Sequence, residues 1–266
     1  MLLKRVVTAV FLLVTLIFVL WADGTIPWFA IGASVAALFG LYEFYGMVCS
    51  SGKGKPAIWL GMALTALFIF QPRYPWNDDI SILLTASTVL PLLWVMLRKN
   101  RDGACSSWAF TLAGVMYLGW VASRYVALME LPQGRDWVIL ALFPTFACDT
   151  SAYFVGRALG RHKMAPGISP SKTWEGAAGG VAGAVAIGLG VSWLFKLPIG
   201  MLQTLGLSLA IAVFAQTGDL VESLFKRNMG AKDSGKALPG HGGMLDRIDS
   251  VVFAGLVVYY YVLWLA

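Results

Sequence analysis

The chain has 266 residues, of which 58% are hydrophobic and only 13% charged, with a formal net charge of +6 and a mean hydropathy of +0.73. About a quarter of the residues of an ordinary globular domain are charged, so this composition excludes a soluble fold and places the chain in a bilayer. Cys49, Cys105 and Cys148 are odd in number and far apart, which excludes a disulfide framework or a zinc cluster and reads as small buried hydrophobes.

Lys4 and Arg5 precede an apolar run, Val6 to Trp21, longer than the roughly 7 to 15 residues of a secretory leader, and no small-residue cleavage site follows. It is expected to be retained as a first helix. Breaks at charge and Pro/Gly clusters then give further spans at Pro27 to Val48, Ala57 to Phe70, Ile80 to Leu97, Trp108 to Met129, Trp137 to Leu159, Trp174 to Phe195, Pro198 to Phe225 and Ser250 to Ala266. Each is close to the ~20 residues that cross hydrocarbon, the third being short. The expectation is an all-α polytopic integral membrane protein of about nine transmembrane helices. Residues 1–136 read as a scaffold offering dimer contacts, and 137–266 as the catalytic region.

Basic residues in the connections set the orientation. With the N-terminus in the cytoplasm, sixteen Lys and Arg fall inside and only Arg73, Arg135 and Lys196 outside, Arg124 lying within the fifth span. This asymmetry follows the positive-inside rule. It also accounts for the basic excess through topology and phosphate chemistry, and no nucleic-acid partner is expected.

The same orientation sets the depth of the polar groups. Span eight runs inward, so Asp219, Glu222, Ser223 and Lys226 lie at its cytoplasmic end, and their i, i+3, i+4, i+7 spacing puts them on one helical face. Asp246 and Asp249 stand one turn apart at the entrance to span nine. Asp149 lies past the midpoint of span six toward the same side, with Tyr153 and Gly156 following. Four carboxylates from three helices are therefore expected at one depth. In span seven, Gly176, Gly180, Ala184 and Gly188 form a small-residue stripe for close helix packing. Glu43 and Arg124, embedded in spans two and five, read as charges reaching toward the two interfaces, with a direct role in a site as the alternative.

The passage Gln216 to Ser250 is the one long polar stretch, and it mixes acids with Lys226, Arg227, Lys232, Lys236 and Arg247. Crowded carboxylates near a membrane repel one another unless a cation neutralises them. Mg2+ held by a few carboxylates, water and substrate phosphate suits Asp219 and Asp246, and the competing reading is that these acids only pair with Lys226, Lys232 or Arg247. Interleaved Arg and Lys are what a polyphosphate needs, Arg clamping oxygens in bidentate fashion and Lys acting as a point charge. The run Leu238-Pro-Gly-His-Gly-Gly243 offers backbone N–H groups to an anion through Gly242 and Gly243. His241 reads equally as a phosphate or proton-transfer group and as loop support. On the same side, Ser169, Ser171, Lys172 and Thr173 precede span seven, as helix caps or anion ligands. Lys172 is assigned to phosphate, and Ser171, Ser223, Asp149 and Asp233 complete the substrate-binding set.

The run Ser223-Leu-Phe-Lys-Arg-x-x-x-x-Lys-Asp-Ser-Gly-x-x-Leu-Pro-Gly-His-Gly-Gly-x-x-Asp-Arg-x-Asp249 resembles the signature of the phosphatidate cytidylyltransferases, or CDP-diacylglycerol synthases. The resemblance extends through Gln216-x-Gly-Asp219-Leu-x-Glu-Ser, Ser169-Pro-Ser-Lys-Thr-Trp-Glu-Gly176 and Asp149-x-x-Ala-Tyr153 with Gly156-Arg157. It is specific over the last 120 or so residues, because charged and glycine positions keep a fixed register there. Over the first half it rests on hydropathy and span order. It implies transfer of the cytidylyl group of CTP to phosphatidate, giving CDP-diacylglycerol and pyrophosphate, in an inner-membrane homodimer. It also implies a Mg2+ centre on Asp219 and Asp246, with or without a second cation such as K+.

The catalytic set expected on this reading is Asp219 and Asp246 on metal, Lys226, Arg227, Lys232 and Arg247 on phosphates, His241 beside them, and Asp249 as further support or as ligand of a second cation. A CTP-dependent lipid-alcohol kinase would use similar groups but transfer the γ-phosphoryl group. An ion-coupled transporter would hold its acids near the bilayer midplane beside broken helices, not at one end.

Overall fold

The computed structural model describes residues 2–74, 80–99, 101–235 and 242–265. Those residues form ten α-helices and one small sheet. The helices are α1 (Leu2–Trp21), α2 (Trp28–Ser50), α3 (Ile58–Phe70), α4 (Ile80–Met96), α5 (Ala104–Gly114), α6 (Val121–Met129), α7 (Gly134–Leu159), α8 (Trp174–Leu194), α9 (Met201–Asn228) and α10 (Leu245–Leu265). A π-helical stretch, Val115–Trp120, joins α5 to α6. Between α7 and α8 the antiparallel hairpin β1 (Lys163–Ala165) and β2 (Ser169–Thr173) interrupts the helices.

Among the described residues, six helical segments are long and apolar enough to cross a membrane: Trp28–Ser50, Ala104–Met129, Gly134–Leu159, Trp174–Leu194, Met201–Asn228 and Leu245–Leu265. The other three expected spans coincide with shorter apolar helices, Val10–Trp21, Ile58–Arg73 and Ile80–Met96. Helices suit this composition because each satisfies its own backbone hydrogen bonds where lipid offers none. Large apolar side chains cover the outer surface, with Trp59, Leu97, Trp193, Leu202 and Trp264 all exposed, as expected of an integral membrane protein.

The chain divides into two compact units, Met1–Val126 with Asn228–Ile248, and Ala127–Arg227 with Asp249–Ala266. In the first, Tyr45 of α2 is fully buried and its hydroxyl donates to the Thr111 carbonyl at 2.8 Å. Gly61 of α3 and Gly114 of α5 flank its ring so closely that a Cβ on either would collide with it. The start of α10 packs on α2 as well, since a Cβ on Gly40 would stand 3.1 Å from Ile248 Cδ1.

In the second unit the small-residue stripe acts as expected. Gly176, Gly180, Ala184 and Gly188 of α8 are all buried, and a Cβ on Gly180 would meet the Cys148 carbonyl of α7 at 3.0 Å. Cys148, Ala184 and Ala212 then join α7, α8 and α9 in one buried cluster. Of the cysteines only Cys148 fits the buried reading. Cys49 and Cys105 are exposed, and all three are free thiols.

Arg124 is buried in the protein. It is 6% exposed, its guanidinium lies 4.0 Å from the centre of the Trp120 ring, and Nη2 donates to Ser123 Oγ at 2.8 Å. A stacked, hydrogen-bonded guanidinium tolerates burial better than an ammonium because it is more weakly hydrated.

Candidate active site

Within the second unit the polar groups gather at the C-terminal part of α9. The expected face is present: Glu222 and Ser223 are buried, while Asp219 and Lys226 are half-buried. Ser223 Oγ donates to Asp219 Oδ1 at 3.4 Å, one turn back along the helix. Lys226 pairs with Glu222, which is fully buried. Lys226 is therefore the counter-ion of a carboxylate that burial would otherwise make costly.

The hairpin supplies the next group. Lys172 on β2 reaches Asp219, with Nζ 2.8 Å from Oδ2, and lies 3.5 Å from the Gln216 carbonyl. Asp219 was expected to pair, if it paired at all, with cations of its own passage, but its partner comes from a strand 47 positions earlier. Thr173, the last residue of β2, caps α8 by accepting the Gly176 N–H at 3.2 Å. Capping therefore falls to the threonine. Ser171 stands exposed on the strand, and Ser169 is half-exposed 3.5 Å from it. Arg227 Nε donates to the Ile168 carbonyl at 3.3 Å and holds the hairpin tip with one of the five N–H donors of a guanidinium.

Two further helices complete this group. Gln216 Nε2 donates to the Ala177 carbonyl at 3.3 Å and approaches Cys148 Sγ at 3.4 Å, bracing α9 against α8 and α7. Gly218 admits the backbone of α10, since a Cβ there would stand 2.5 Å from the Asp249 carbonyl. Asp249 is 7% exposed, and the charges acting on it are the carboxylates Asp219 and Asp149 and the Lys226 ammonium. Ser250 Oγ donates to Asp149 Oδ1 at 3.5 Å. Asp149, Asp219 and Asp249, three of the four carboxylates expected together, thus share one neighbourhood. A cavity of about 660 Å³ at the other end of α8 and α9, lined by Leu189, Trp193, Lys196 and Thr204 among others, carries no acidic residue.

The first unit holds the remaining described part of the polar passage. Asp246, in the first turn of α10, accepts the N–H groups of Gly243 at 2.9 Å and Ser234 at 3.2 Å, both on Oδ2. Gly242 has φ +81°, a left-handed conformation suited to glycine, and a Cβ there would stand 2.9 Å from the same oxygen. Lys232, Asp233 and Arg247 are exposed, and Gly243 is buried. His241, Lys236 and the Leu238-Pro239-Gly240 segment lie outside the described residues.

Glu43, read from the sequence as a charge reaching toward an interface, is instead 8% exposed and buried in the protein, and its Oε2 accepts the Leu245 N–H at 2.9 Å and the Ser234 hydroxyl at 3.2 Å.

Taken one by one, Asp219 and Asp246 each suit a ligand of a hard divalent ion. Carboxylate oxygens oriented by hydroxyl and amide donors are what Mg2+ prefers, with its remaining positions left to water and phosphate oxygens. Among the described residues, no three His, Cys, Asp or Glu side chains are close enough to hold an ion together.

Comparison with known proteins agrees along the whole length. The cytidylyltransferase family pattern matches residues 3–265. The chain is 34% identical over 251 residues to a phosphatidate cytidylyltransferase of Staphylococcus aureus, covering 94% of each sequence. It is also 34% identical over 250 residues to proteins of the same description from Staphylococcus haemolyticus and Staphylococcus epidermidis, again over 94% of both.

Proposed function

Because the chain belongs to the cytidylyltransferase family, and is thus a nucleotidyltransferase, we propose that it makes CDP-diacylglycerol from CTP and phosphatidate. The observation that carries this reading is the Lys172–Asp219 contact. It holds the cation we assign to phosphate and the carboxylate we assign to metal 2.8 Å apart at the polar end of apolar helices.

In the proposed reaction an oxygen of the phosphatidate phosphate attacks the α-phosphorus of CTP. One P–O bond forms, the bond from the α-phosphorus to the bridging oxygen breaks in line, and pyrophosphate leaves with the electron pair. The nucleophile is already an anion, so no strong general base is needed. Lys172, Arg227, Lys232 and Arg247 neutralise phosphate charge while Lys226 offsets the buried Glu222 beside them, with Ser171, Ser223, Asp149, Asp233 and the amides of Gly242 and Gly243 orienting substrate. Asp219 and Asp246 are the proposed Mg2+ ligands, with Asp249 in support or on a second cation such as K+. Mg2+, when bound, supplies Lewis-acid neutralisation of the reacting phosphates.

The asymmetry of basic residues supports a cytoplasmic site, where CTP arrives from solution and the lipid phosphate lies at headgroup depth. A homodimer is proposed on the family resemblance and is checked by the mass of the detergent-solubilised protein.

The test uses purified protein, phosphatidate, Mg2+ and CTP labelled at either the α or the γ position. We expect the α label in a lipid product and the γ label in pyrophosphate. Appearance of the γ label in lipid would establish a kinase instead. Absence of any nucleotide turnover would end the proposal.

A further inference from the structure

We propose that Glu43, on α2 in the N-terminal half, is a positioning residue for the nucleotidyl-transfer site, fixing Ser234, Gly243 and the helix start that present Asp246. This deepens the reading above and rests on it.

The argument begins with what Glu43 touches. One oxygen, Oε2, accepts both the Leu245 N–H, the first amide of α10, and the Ser234 hydroxyl. The first amides of a helix have no partner within it, and a buried helix start needs acceptors from elsewhere. Glu43 supplies one from 202 positions away. Ser234 is shared between two carboxylates, giving its hydroxyl to Glu43 and its N–H to Asp246. Gly243 gives its N–H to Asp246 while its backbone lies against Glu43. The position of Glu43 therefore sets where Ser234, Gly243 and Leu245 lie, and the first two set the Asp246 carboxylate.

The glycines show how tightly this is built. A Cβ on Gly235 would collide with Glu43 Oε1, and one on Gly243 would collide with Ser234 Oγ and Glu43 Oε2. The glycines at 235 and 243 leave room for a carboxylate. Two glycines of the passage and the buried Ser234 hydroxyl thus lie against one side chain of α2.

The second oxygen, Oε1, is buried and has no hydrogen-bond partner among the described residues. Substitution at this position separates positioning from direct ligation. Glutamine keeps an acceptor oxygen at the Oε2 position and places its amide NH2 where Oε1 now stands, so it preserves what Glu43 does for Ser234 and Leu245. Alanine preserves nothing. A metal or substrate ligand would lose its function equally in both.

The experiment compares wild type, Glu43→Gln, Glu43→Ala and Ser234→Ala in detergent by two readouts. The first is hydrogen exchange of the Gly243 and Leu245 amides, measured without substrate or metal. The second is the Mg2+ concentration for half-maximal CDP-lipid formation. We expect Glu43→Ala to speed exchange at both amides by about tenfold and to raise the Mg2+ requirement by about fivefold, with Glu43→Gln within about twofold of wild type in each. A role confined to folding would lower the yield of active enzyme and leave the Mg2+ requirement alone, and that result overturns the proposal. So does Glu43→Gln behaving like Glu43→Ala. If Glu43→Ala does not fold, Ser234→Ala decides, with about threefold effects expected in both readouts and the proposal rejected if both stay at wild-type values. A wild type that makes no CDP-lipid refutes the proposed function, and the exchange data still test the anchor.

Discussion

Replacing Lys172 by alanine separates the two things this ammonium does. Its Nζ lies 2.8 Å from Asp219 Oδ2, with the side chains 20% and 35% exposed. An ion pair this open to solvent contributes about 1 kcal/mol or less to stability. In a chain of this length that moves the thermal midpoint by only about 2–4 °C. Catalysis is affected much more, because the proposed role opposes charge that grows on phosphate oxygens during transfer. Removing one such group costs about 100-fold in rate, or about 2.7 kcal/mol of transition-state stabilisation.

The expected signature is therefore a large fall in kcat/KM for CTP beside a nearly unchanged unfolding midpoint. Both are measurable on one preparation, from α-labelled CTP in phosphatidate mixed micelles and from thermal unfolding in the same detergent. Asp219→Asn and the double variant extend the test. If both side chains serve one step, the double variant falls little further than the worse single one. A Lys172→Ala enzyme that keeps more than half its kcat/KM, or loses activity only in step with stability, refutes the assignment.

Asp246→Asn keeps an oxygen able to accept the Gly243 and Ser234 amides, so we expect normal folding and about a 1000-fold loss of CDP-lipid formation, checked by turnover and midpoint together. Gly243→Ala drives a methyl group into Ser234 Oγ and the Glu43 carboxylate, and overpacking should cost about 1–3 kcal/mol, read from denaturant or thermal unfolding. Gly180→Val places atoms against the Cys148 carbonyl and Ala152 and should destabilise by a similar ~1–3 kcal/mol, whereas Gly190, with nothing within 4 Å of an added Cβ, should accept alanine with no loss of midpoint. Thr173→Ala removes the cap of α8 and should cost about 1 kcal/mol in the same assay.

The apolar spans were legible because hydrocarbon accepts only backbone that satisfies itself, so span and helix nearly coincide. The second span was expected over Pro27 to Val48 and forms as Trp28–Ser50, and the seventh was expected over Trp174 to Phe195 and forms as Trp174–Leu194. The edges that fall in polar sequence were not legible. α10 was expected from Ser250 and begins at Leu245, because Glu43 takes the Leu245 amide and so satisfies a helix start within the polar passage. The hairpin from Lys163 to Thr173 carries no apolar alternation to announce strands. It is held by its own ladder, by Arg227 at its tip and by Glu175, which accepts the Arg161 and His162 amides at its base.

The candidate site divides along the same physical line. Residues related by helical periodicity could be grouped from the sequence, and Asp219, Glu222, Ser223 and Lys226 do share one face. Partners brought together by tertiary packing could not, because spacing says nothing about which distant segment arrives. Lys172 was expected to be a cation near phosphate, but its contact with Asp219 depends on how β2 lies against α9. Glu43 shows the limit most clearly. An acid near the end of an apolar span is equally compatible with solvent and with burial, and only a supply of donors decides between them. Its donors are a serine hydroxyl 191 positions away and a helix-start amide 202 positions away. The sequence signal that would have found it is the glycine pattern of the passage itself: Gly235 and Gly243 bracket a space that a single long acidic side chain from another helix fills.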